Sequence, residues 1–400
     1  MARVRAVTLK AVLLLVIPAM AFWACVTLAS SVMLGFAVVA AWYALLVLLP
    51  SLRLQNASLA LLSIVLAWTA LELVMRTNAL ASVIFGRDTA NLLVGQEIES
   101  EPPYYVPDEI LGFRLAANRR SRSTLMKDGR LIYDVVYTMD AHGFRALPRG
   151  PAGATPVLML GDSFNFGLGI NDDQTLAYYL QDLSAGRLQP FVLATPGMGP
   201  HQVLRQLEIG EPTKSGHKTF AWALMSIVDD HVLRASGRSS WLRDTPRYDV
   251  DADDRLVLHG NYLASSKFVQ NLIVGSRAFA LTWIALTNDP PAERRRFVRI
   301  LREIKTRLSS EYGAKLLMLY YSGQTWRGEL TGWRDEMVPL LCQAGVPFIE
   351  VNALLRGSSV PVEHFYIAGD GHPTPQLNRL LASAVIAAMT DGVPPSPCRR

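Results

Sequence analysis

An apolar run that ends at a serine constrains the fold of this 400-residue chain more than any other feature. The run occupies residues 157–160, and Gly161, Asp162 and Ser163 follow it directly. An aliphatic run bounded by glycine is typical of a parallel strand that is buried on both faces. Ligands of open α/β sheets lie just beyond the carboxyl ends of such strands. The sequence therefore places Ser163 where a reaction can take place.

Strands alternate with helices from residue 156 onwards. Apolar runs predict five strands, at residues 157–160, 191–193, 220–228, 315–321 and 346–351. Helical patterns fit between them, around residues 174–184, 201–209, 292–310 and 333–344, with a closing helix near 374–389. Helix-length crossovers imply parallel strands. We therefore expect a three-layer α/β/α sandwich around a five-stranded parallel sheet.

Three apolar stretches precede this region, at residues 11–28, 32–50 and 57–75. Each has about the length needed to cross roughly 30 Å of hydrocarbon as a helix. Together they explain why half of the chain is hydrophobic. Because two more stretches follow the first, permanent anchorage by three transmembrane helices is favoured over a cleaved signal peptide.

Cationic residues set the expected orientation of the anchor, since Lys and Arg resist translocation. Arg3, Arg5 and Lys10 precede the first stretch, and Arg53 lies in the second loop. This distribution places the amino terminus in the cytoplasm, and three crossings leave the rest of the chain outside. We expect a multi-pass protein of the inner (cytoplasmic) membrane whose catalytic domain is extracytoplasmic, in the periplasm of a Gram-negative organism.

The expected domains follow from these patterns. Residues 1–78 form the anchor, residues 79–107 a proline-containing linker, residues 108–392 the catalytic domain and residues 393–400 a tail. Within the catalytic domain, hairpin signals including a strand at residues 131–138 predict a β-rich first part over residues 108–150. Residues 235–290 break the alternation of strands and helices, so we expect an insertion near the active site.

The formal net charge of +5 arises mainly in the anchor, where five cations face Glu72 as the one acidic residue. About +1 then remains for the rest of the chain, which gives no support for a nucleic-acid partner. The dense cluster of Arg294, Arg295 and Arg296 is better explained as a solvated helix face than as a polyanion site.

The three cysteines divide between the two parts of the chain. Cys25 lies inside the first apolar stretch, where it behaves as a small hydrophobic residue. Cys342 and Cys398 belong to the part expected outside the cytoplasm, where disulfides persist. The sequence is compatible with a bridge between them and with two unpaired thiols.

Several motifs together resemble the SGNH (GDSL) hydrolase superfamily over about residues 100–390. They are the Gly161-Asp162-Ser163 turn, a glycine-rich turn around residues 197–199 and an Asp-Gly-His sequence at residues 370–372. The segment at residues 139–145, which carries Asp140 in place of an asparagine, is similar to one in membrane-anchored extracytoplasmic bacterial members. The resemblance implies a flavodoxin-like sandwich and a serine hydrolase that uses no cofactor and no metal.

The resemblance also assigns a catalytic triad. A serine hydroxyl needs a base to take its proton, and a carboxylate that holds the base in the right tautomer. Ser163 is then the nucleophile, His372 the base and Asp370 the orienting carboxylate. The usual family spacing puts the aspartate three residues before the histidine, where this chain has Gly369. Glu363 is therefore an alternative partner for His372, and Asp370 with its following glycine could instead form only a turn.

The expected oxyanion donors are the backbone N–H groups of Ser163 and Gly197, with Gly199 as a poorer match. The family's third donor is an asparagine side chain, but this chain has Asp229 at that position. An ionised aspartate accepts hydrogen bonds and cannot donate them. Either Asp229 is protonated, or His231 or Arg234 donates in its place, and we favour His231. The two basic residues could alternatively bridge the core and the insertion.

Three hypotheses for the function follow. The first is a membrane-tethered periplasmic serine esterase that removes O-acyl groups, foremost O-acetyl, from a carbohydrate or lipid. The second is a polysaccharide O-acetyltransferase that uses the same acyl-serine and receives acyl groups from a membrane partner. The third is a catalytically inactive carbohydrate-binding relative, motivated by Asp229. The remaining histidines show no spacing typical of metal ligands: His142, His201, His217, His259 and His364.

Overall fold

The computed structural model describes residues 12–29, 31–49, 51–76, 98–262, 267–287, 289–323, 334–356, 359–392 and 398. The chain divides into two compact units. The first, which we call the helical unit, comprises Met1–Gly95 and Leu263–Asn288. The second, which we call the α/β unit, comprises Gln96–Tyr262 and Asp289–Arg400.

The helical unit begins with three apolar helices. A π-helical turn, Val12–Val16, leads into α1 (Ile17–Leu28), which is followed by α2 (Val32–Val47) and α3 (Leu52–Met75). Among the described residues, one helix is long and apolar enough to cross a membrane, over Arg53–Met75, whereas the helices at Leu14–Leu28 and Val32–Val47 are apolar but shorter. One of the three predicted membrane-spanning helices therefore has the required length and composition, and the crossing of all three stays a prediction.

The α/β unit begins with antiparallel strands. They are β1 (Ile98–Glu101), β2 (Tyr105–Asp108), β3 (Gly112–Leu115), β4 (Arg119–Lys127) and β5 (Arg130–Met139). Strand β4 lies between β1 and β5, and β2 pairs with β3. The segment expected as a linker thus contains β1 and most of β2, because Ile98 pairs opposite Leu125 of β4 and adds an edge strand to the sheet.

Parallel strands and crossover helices follow in the predicted order. They are β6 (Thr155–Leu160), α4 (Ser163–Phe166), α5 (Leu176–Leu183), β7 (Leu188–Val192), α6 (Pro200–Glu208), β8 (Trp222–Val228) and α7 (His231–Arg234). The segment predicted as an insertion then contributes β9 (Pro246–Val250), β10 (Leu256–Asn261), α8 (Lys267–Gly275) and α9 (Arg277–Thr287). It is not one body: the β9–β10 hairpin belongs to the α/β unit, and α8 and α9 belong to the helical unit.

The last part completes the sheet. It contains α10 (Pro290–Tyr312), β11 (Lys315–Tyr321), α11 (Arg334–Ala344), β12 (Phe348–Glu350), α12 (Val351–Leu354) and α13 (Pro375–Thr390). The five parallel strands stand in the order β12-β11-β8-β6-β7. The predicted five-stranded parallel sheet is confirmed.

Alternate residues of β6 face two separate cores, which defines the three layers. Val157 and Met159 pack with the buried faces of α5 and α13. Leu158 and Leu160 pack with those of α6, α10 and α11 on the opposite side. A central parallel strand is covered on both faces in this way, so its sequence is apolar throughout and not alternating.

A disulfide joins the α/β unit to its carboxyl-terminal segment. Cys342 on α11 and Cys398 are bonded, with their Cα atoms 5.4 Å apart and a sequence separation of 56. Of the two alternatives that the sequence left open, the structure has the bridge.

Candidate active site

Strand β6 presents Ser163 through a turn that needs glycine. Gly161 has a φ of +110°, and a Cβ at this position would overlap Ser226 Oγ on the neighbouring strand β8. Asp162 then caps helix α4, because its Oδ1 accepts the Phe164 N–H over 3.2 Å. Ser163 is the first residue of that helix, and only 6% of it is exposed.

The three residues assigned to the triad are in hydrogen-bond contact. His372 Nε2 lies 2.7 Å from Ser163 Oγ, and His372 Nδ1 lies 2.6 Å from Asp370 Oδ2. Asp370 is fully buried, and 2% of His372 is exposed. Ser163 and His372 are 209 residues apart in sequence, so the fold alone brings them together. Nucleophile, base and carboxylate stand in the order that a serine hydrolase requires.

The loop that carries the base folds tightly on itself. The N–H groups of Asp370 and Gly371 both donate to the Ile367 carbonyl, over 3.0 Å and 2.8 Å. Gly371 has a φ of +91°, which allows the chain to turn between the aspartate and the histidine. Asp370 therefore reaches the imidazole although only one residue separates the two. Glu363, the alternative partner, is exposed on the surface.

A buried cluster of charged groups lies directly beneath the nucleophile. Asp162 Oδ2 lies 3.1 Å from His231 Nε2 and accepts from Arg234 Nη1 over 3.2 Å. Its Oδ1 accepts from the Ser226 hydroxyl over 2.8 Å. All four side chains are buried. The Ser163 backbone is thus held through a carboxylate that is itself fixed by groups from β8 and α7.

Opposing effects act on the pKa of Asp162. Burial alone would raise this pKa, because it disfavours the ionised form. The imidazole of His231, the guanidinium of Arg234 and the Ser226 hydroxyl together outweigh burial and hold the pKa well below its usual range. Asp162 is therefore ionised across the range in which enzymes work.

The structure gives Asp229, His231 and Arg234 roles that differ from the expected oxyanion contact. Asp229 Oδ1 accepts from the Tyr320 hydroxyl over 2.7 Å, and its Oδ2 accepts from the Gly323 N–H over 2.9 Å. An ionised carboxylate suits both contacts, since both are donated to it. Asp229 therefore ties β8 to β11 and its following turn, and needs no added proton.

The expectation that His231 donates to the oxyanion is corrected by its contacts. Its Nδ1 accepts the Val228 N–H over 3.5 Å, and its Nε2 faces Asp162 at 3.1 Å. Arg234 also points to Asp162, and to the Met198 carbonyl over 3.3 Å. Both basic side chains thus contact the Asp162 carboxylate beneath Ser163. This arrangement was not evident from the sequence.

The glycine-rich loop after β7 is fixed from several sides. The Thr195 N–H donates to the Gly161 carbonyl over 3.1 Å, which ties the loop to the nucleophile turn. Trp241 Nε1 donates to the Gly197 carbonyl over 2.9 Å, and Gly197 has a φ of +82°. The N–H groups of Ser163 and Gly197 have no protein acceptor among the residues that the structure describes. Two backbone donors therefore stay available in these two loops.

Arg145 supports the loop that follows the nucleophile helix. Its guanidinium donates to the carbonyls of Phe166, Gly167 and Ile170 and pairs with Asp172 at 3.0 Å. It also lies 4.8 Å and 4.7 Å from the ring centres of Tyr137 and Phe166. This arginine belongs to the segment at residues 139–145, and the sequence analysis gave it no role.

His201, one of the remaining histidines, has its hydrogen-bond partner outside the triad. His201 is fully buried, with Nε2 2.9 Å from Thr245 Oγ1. Burial, and then the charges of His231, Arg296 and Arg234, lower the pKa of His201 to about 3. In the described part of the chain, no group of three His, Cys, Asp or Glu side chains could hold a metal ion.

Comparison of the chain with known proteins identified similar folds among solved structures. No protein-family profile matches the chain, and no curated protein matches it. The chain resembles lipolytic proteins of the G-D-S-L family. One such putative protein, from Desulfitobacterium hafniense, is 9% identical with a TM-score of 0.34, covering 57% of this chain and 96% of that one.

Two further similar structures are esterases. A putative arylesterase from Agrobacterium tumefaciens is 14% identical with a TM-score of 0.32, covering 60% of this chain and 100% of that one. A carbohydrate acetylesterase from Sinorhizobium meliloti is 11% identical with a TM-score of 0.32, covering 59% of this chain and 99% of that one. We infer the function below from the geometry of the site and not from these likenesses.

Proposed function

We propose that this protein is a serine esterase of the SGNH type. The observation that carries the proposal is the buried chain of contacts from Ser163 Oγ through His372 to Asp370, at 2.7 Å and 2.6 Å. A hydroxyl held against an imidazole, which is in turn held by a carboxylate, is the arrangement that makes serine nucleophilic.

The reaction proceeds in two halves. Ser163 Oγ attacks the acyl carbonyl carbon as its proton passes to His372 Nε2, and Asp370 stabilises the resulting imidazolium. The tetrahedral intermediate then expels the alcohol, which takes the proton from His372, and an acyl-serine remains. Water, deprotonated by His372, attacks the acyl-serine and releases the carboxylic acid, and the proton returns to Ser163.

Two backbone donors serve the oxyanion in this proposal. The N–H groups of Ser163 and Gly197 lie in the two loops that the Thr195–Gly161 hydrogen bond joins. Removing one donor from such a site costs other enzymes about 3 kcal/mol of transition-state stabilisation. Because the side chains of His231 and Asp229 are engaged elsewhere, the proposed oxyanion hole rests on backbone groups.

The proposed substrate is an O-acyl ester, foremost an O-acetyl ester, on a carbohydrate or lipid outside the cytoplasm. The apolar helices α1–α3 support anchorage in the inner membrane, with the α/β unit on the periplasmic side. The Cys342–Cys398 bond adds support, because disulfides persist in oxidising compartments and are rare in the cytoplasm.

A serine-directed probe and a point variant test the esterase. The full-length protein should hydrolyse a short-chain aryl ester and form a fluorophosphonate adduct that maps to Ser163. Ser163→Ala should lose both, whereas Ser123→Ala, a change at a buried serine of β4, should retain both. Full turnover by Ser163→Ala, or an adduct on another residue, would reject the assignment.

An acetyltransferase that uses the same acyl-serine is the second candidate. The apolar helices α1–α3 favour it, because a protein anchored in the membrane can receive acyl groups from a membrane partner. Incubation with an acyl donor and an acceptor glycan separates the candidates, by comparing acylated glycan with released acid. The third hypothesis was an inactive carbohydrate-binding protein and rested on Asp229. Asp229 no longer supports it, because its carboxylate pairs with Tyr320 and Gly323.

A further inference from the structure

Helices α8 and α9 form a short apolar hairpin within the helical unit. Residues 267–287 contain no acidic residue, and their cations, Lys267 and Arg277, each stand at the first position of a helix. Helix α9 has 11 residues, or about 16 Å, which is about half of the roughly 30 Å needed to cross the hydrocarbon of a bilayer. Apolar helices of this length are buried, re-entrant or interfacial.

The hairpin packs on one end of the three-helix group. Phe268 contacts Phe22 edge to face at 6.2 Å, and Asn271 Nδ2 donates to the Val26 carbonyl over 2.5 Å. Phe22 lies at the middle of α1, and Val26 lies two residues before its end. The other helix of the hairpin packs Ala278 and Leu281 against Met75 and Trp68, near the end of α3. Helices α1 and α3 run in the same direction. The contacts with both helices therefore lie towards the same end of the three-helix group, the end at which α3 finishes.

Hydrogen-bond donors in the turn between α8 and α9 are paired with a carboxylate from α3. Glu72 is fully buried, and its two oxygens accept from the Ser276 hydroxyl over 2.8 Å, the Arg277 N–H over 2.8 Å and the Ala278 N–H over 2.9 Å. Arg76 lies 3.3 Å from the same carboxylate. A residue about 200 positions upstream thus caps α9.

The neighbouring donors of the turn are also paired. The Ser276 N–H donates to Leu272, the Phe279 N–H to the Ser276 hydroxyl over 3.1 Å, and the Ala280 N–H to the Ser276 carbonyl. The hydroxyls of Thr282 and Thr287 donate to carbonyls four residues earlier in α9. Complete pairing of backbone donors is required where water is absent, as in the interior of a bilayer.

The outward face of the hairpin is apolar. Val274 is 71% exposed, Trp283 42% and Leu286 79%. Exposed apolar side chains are also present on α1–α3 of the same unit, among them Met20, Leu28 and Leu73. Exposure of this apolar face to water would be unfavourable, whereas contact with lipid acyl chains suits its apolar side chains.

We propose that residues 267–287 are a re-entrant hairpin. The face formed by Val274, Trp283 and Leu286 lies among the lipid acyl chains of one leaflet, the leaflet at which α3 ends. The proposal rests on the membrane anchorage in the proposed function and adds a second, internal attachment. The chain of the α/β unit thus enters the membrane again between Tyr262 and Asp289.

Cysteine labelling of the full chain in lipid vesicles tests this placement. In a Cys25→Ser background with the native disulfide kept, Leu286→Cys and Val274→Cys are each reconstituted in phosphatidylcholine and phosphatidylglycerol and treated with a membrane-impermeant maleimide. Leu258→Cys on β10 is the matched control, since Leu258 is 40% exposed and belongs to the α/β unit. It also measures the fraction of molecules whose α/β unit faces the reagent.

Labelling at positions 286 and 274 should be at least about tenfold slower than at position 258, and become complete after denaturation in detergent. Because Leu286 has twice the exposure of Leu258, a hairpin in water would label at least as fast as the control, and that result would overturn the proposal. Protection lost at a lower protein-to-lipid ratio would indicate a second copy as the covering partner and would also overturn it.

Two readouts on the same vesicles separate this proposal from the others. Extraction of the chain by alkaline carbonate would refute the anchor, and the hairpin with it. Retention in the membrane with fast labelling at position 286 would refute the hairpin alone. Hydrolysis of a soluble aryl ester reports on the esterase independently of either result.

Discussion

Asp162→Asn removes one charge beneath the nucleophile and leaves the side chain almost unchanged in shape. The asparagine oxygen can still cap α4 through the Phe164 N–H. Its NH₂ group, however, must face His231 Nε2 and Arg234 Nη1, which now lie 3.1 Å and 3.2 Å from a carboxylate oxygen. Donor then meets donor, and a buried guanidinium loses one of its counter-charges.

The expected cost follows from that geometry. Breaking a buried ion pair by removing one partner destabilises a protein by about 3–5 kcal/mol. Arg234 keeps its pairing with Asp230 at 2.9 Å, so we expect the lower end, about 3 kcal/mol. For a unit of this size, such a loss lowers Tm by roughly 6–12 °C. Turnover should fall as well, because residue 162 precedes Ser163 directly and loses its favourable contacts with His231 and Arg234.

Thermal unfolding of the purified full chain in detergent measures this cost, together with the initial rate of aryl ester hydrolysis. Asp134→Asn is the control, because its carboxylate pairs with Arg122 on exposed strands, where ion pairs contribute little. We expect its Tm and turnover to match the wild type. An Asp162→Asn protein that also melts within about 2 °C of the wild type would refute the cluster as a source of stability.

Three further changes probe other parts of the α/β unit. Asp370→Asn should lower kcat on the order of 10⁴-fold with little change in KM, because the amide stabilises the wrong tautomer of His372. Cys342→Ser should lower the free energy of unfolding by about 4 kcal/mol, since the disulfide with Cys398 closes a long loop in the unfolded chain. Burial lowers the pKa of His201 to about 3, so between about pH 6.5 and about pH 3 the unfolded chain binds a proton that the folded chain excludes. Acidification through that window should therefore lose about 1.4 kcal/mol per pH unit from this residue, and His201→Asn should remove that loss.

Each of these has a direct check. Glu363→Gln changes the exposed carboxylate of the same loop and should leave kcat unaltered; a loss equal to that of Asp370→Asn would contradict the assignment. Urea unfolding of the reduced wild type should match that of Cys342→Ser, and a difference would show that the serine itself disturbs α11. His142→Asn, at an exposed position, should keep the wild-type dependence of stability on pH.

Much of the sandwich was predictable because buried parallel strands are apolar along their whole length. The predicted run at residues 315–321 coincides with β11, and the run at 157–160 lies within β6. Strand β4 was missed, since its sequence, RRSRSTLMK, carries three arginines and only its alternate residues are buried. Strand β1 was missed because a short edge strand between acidic residues and prolines has the composition of a linker.

The site was predictable where chemistry fixes the residue type. Ser163 and His372 could be named in advance because their motifs resemble those of the SGNH superfamily and because few residue types can attack or exchange protons at neutral pH. The cluster around Asp162 was not found, because its members come from β8, α7 and the nucleophile turn, and their spacing in sequence carries no pattern. One signal was present: an aspartate directly before a helix is a typical N-cap. The proposed re-entrant hairpin of α8 and α9 could not be recognised from the sequence, because a short apolar helix has the same composition in a protein core and in a membrane.

The position of Arg145 bears on how far the chain can be shortened. Its guanidinium holds three carbonyls after the nucleophile helix and lies against two aromatic rings, one of them on β5. A fragment that begins at β6 would retain the whole parallel sheet and the triad, yet leave those carbonyls unpaired and uncover Phe166. Strand β5 and Arg145 thus support the loop that carries Ser163, and a shortened chain that keeps the proposed activity has to include both.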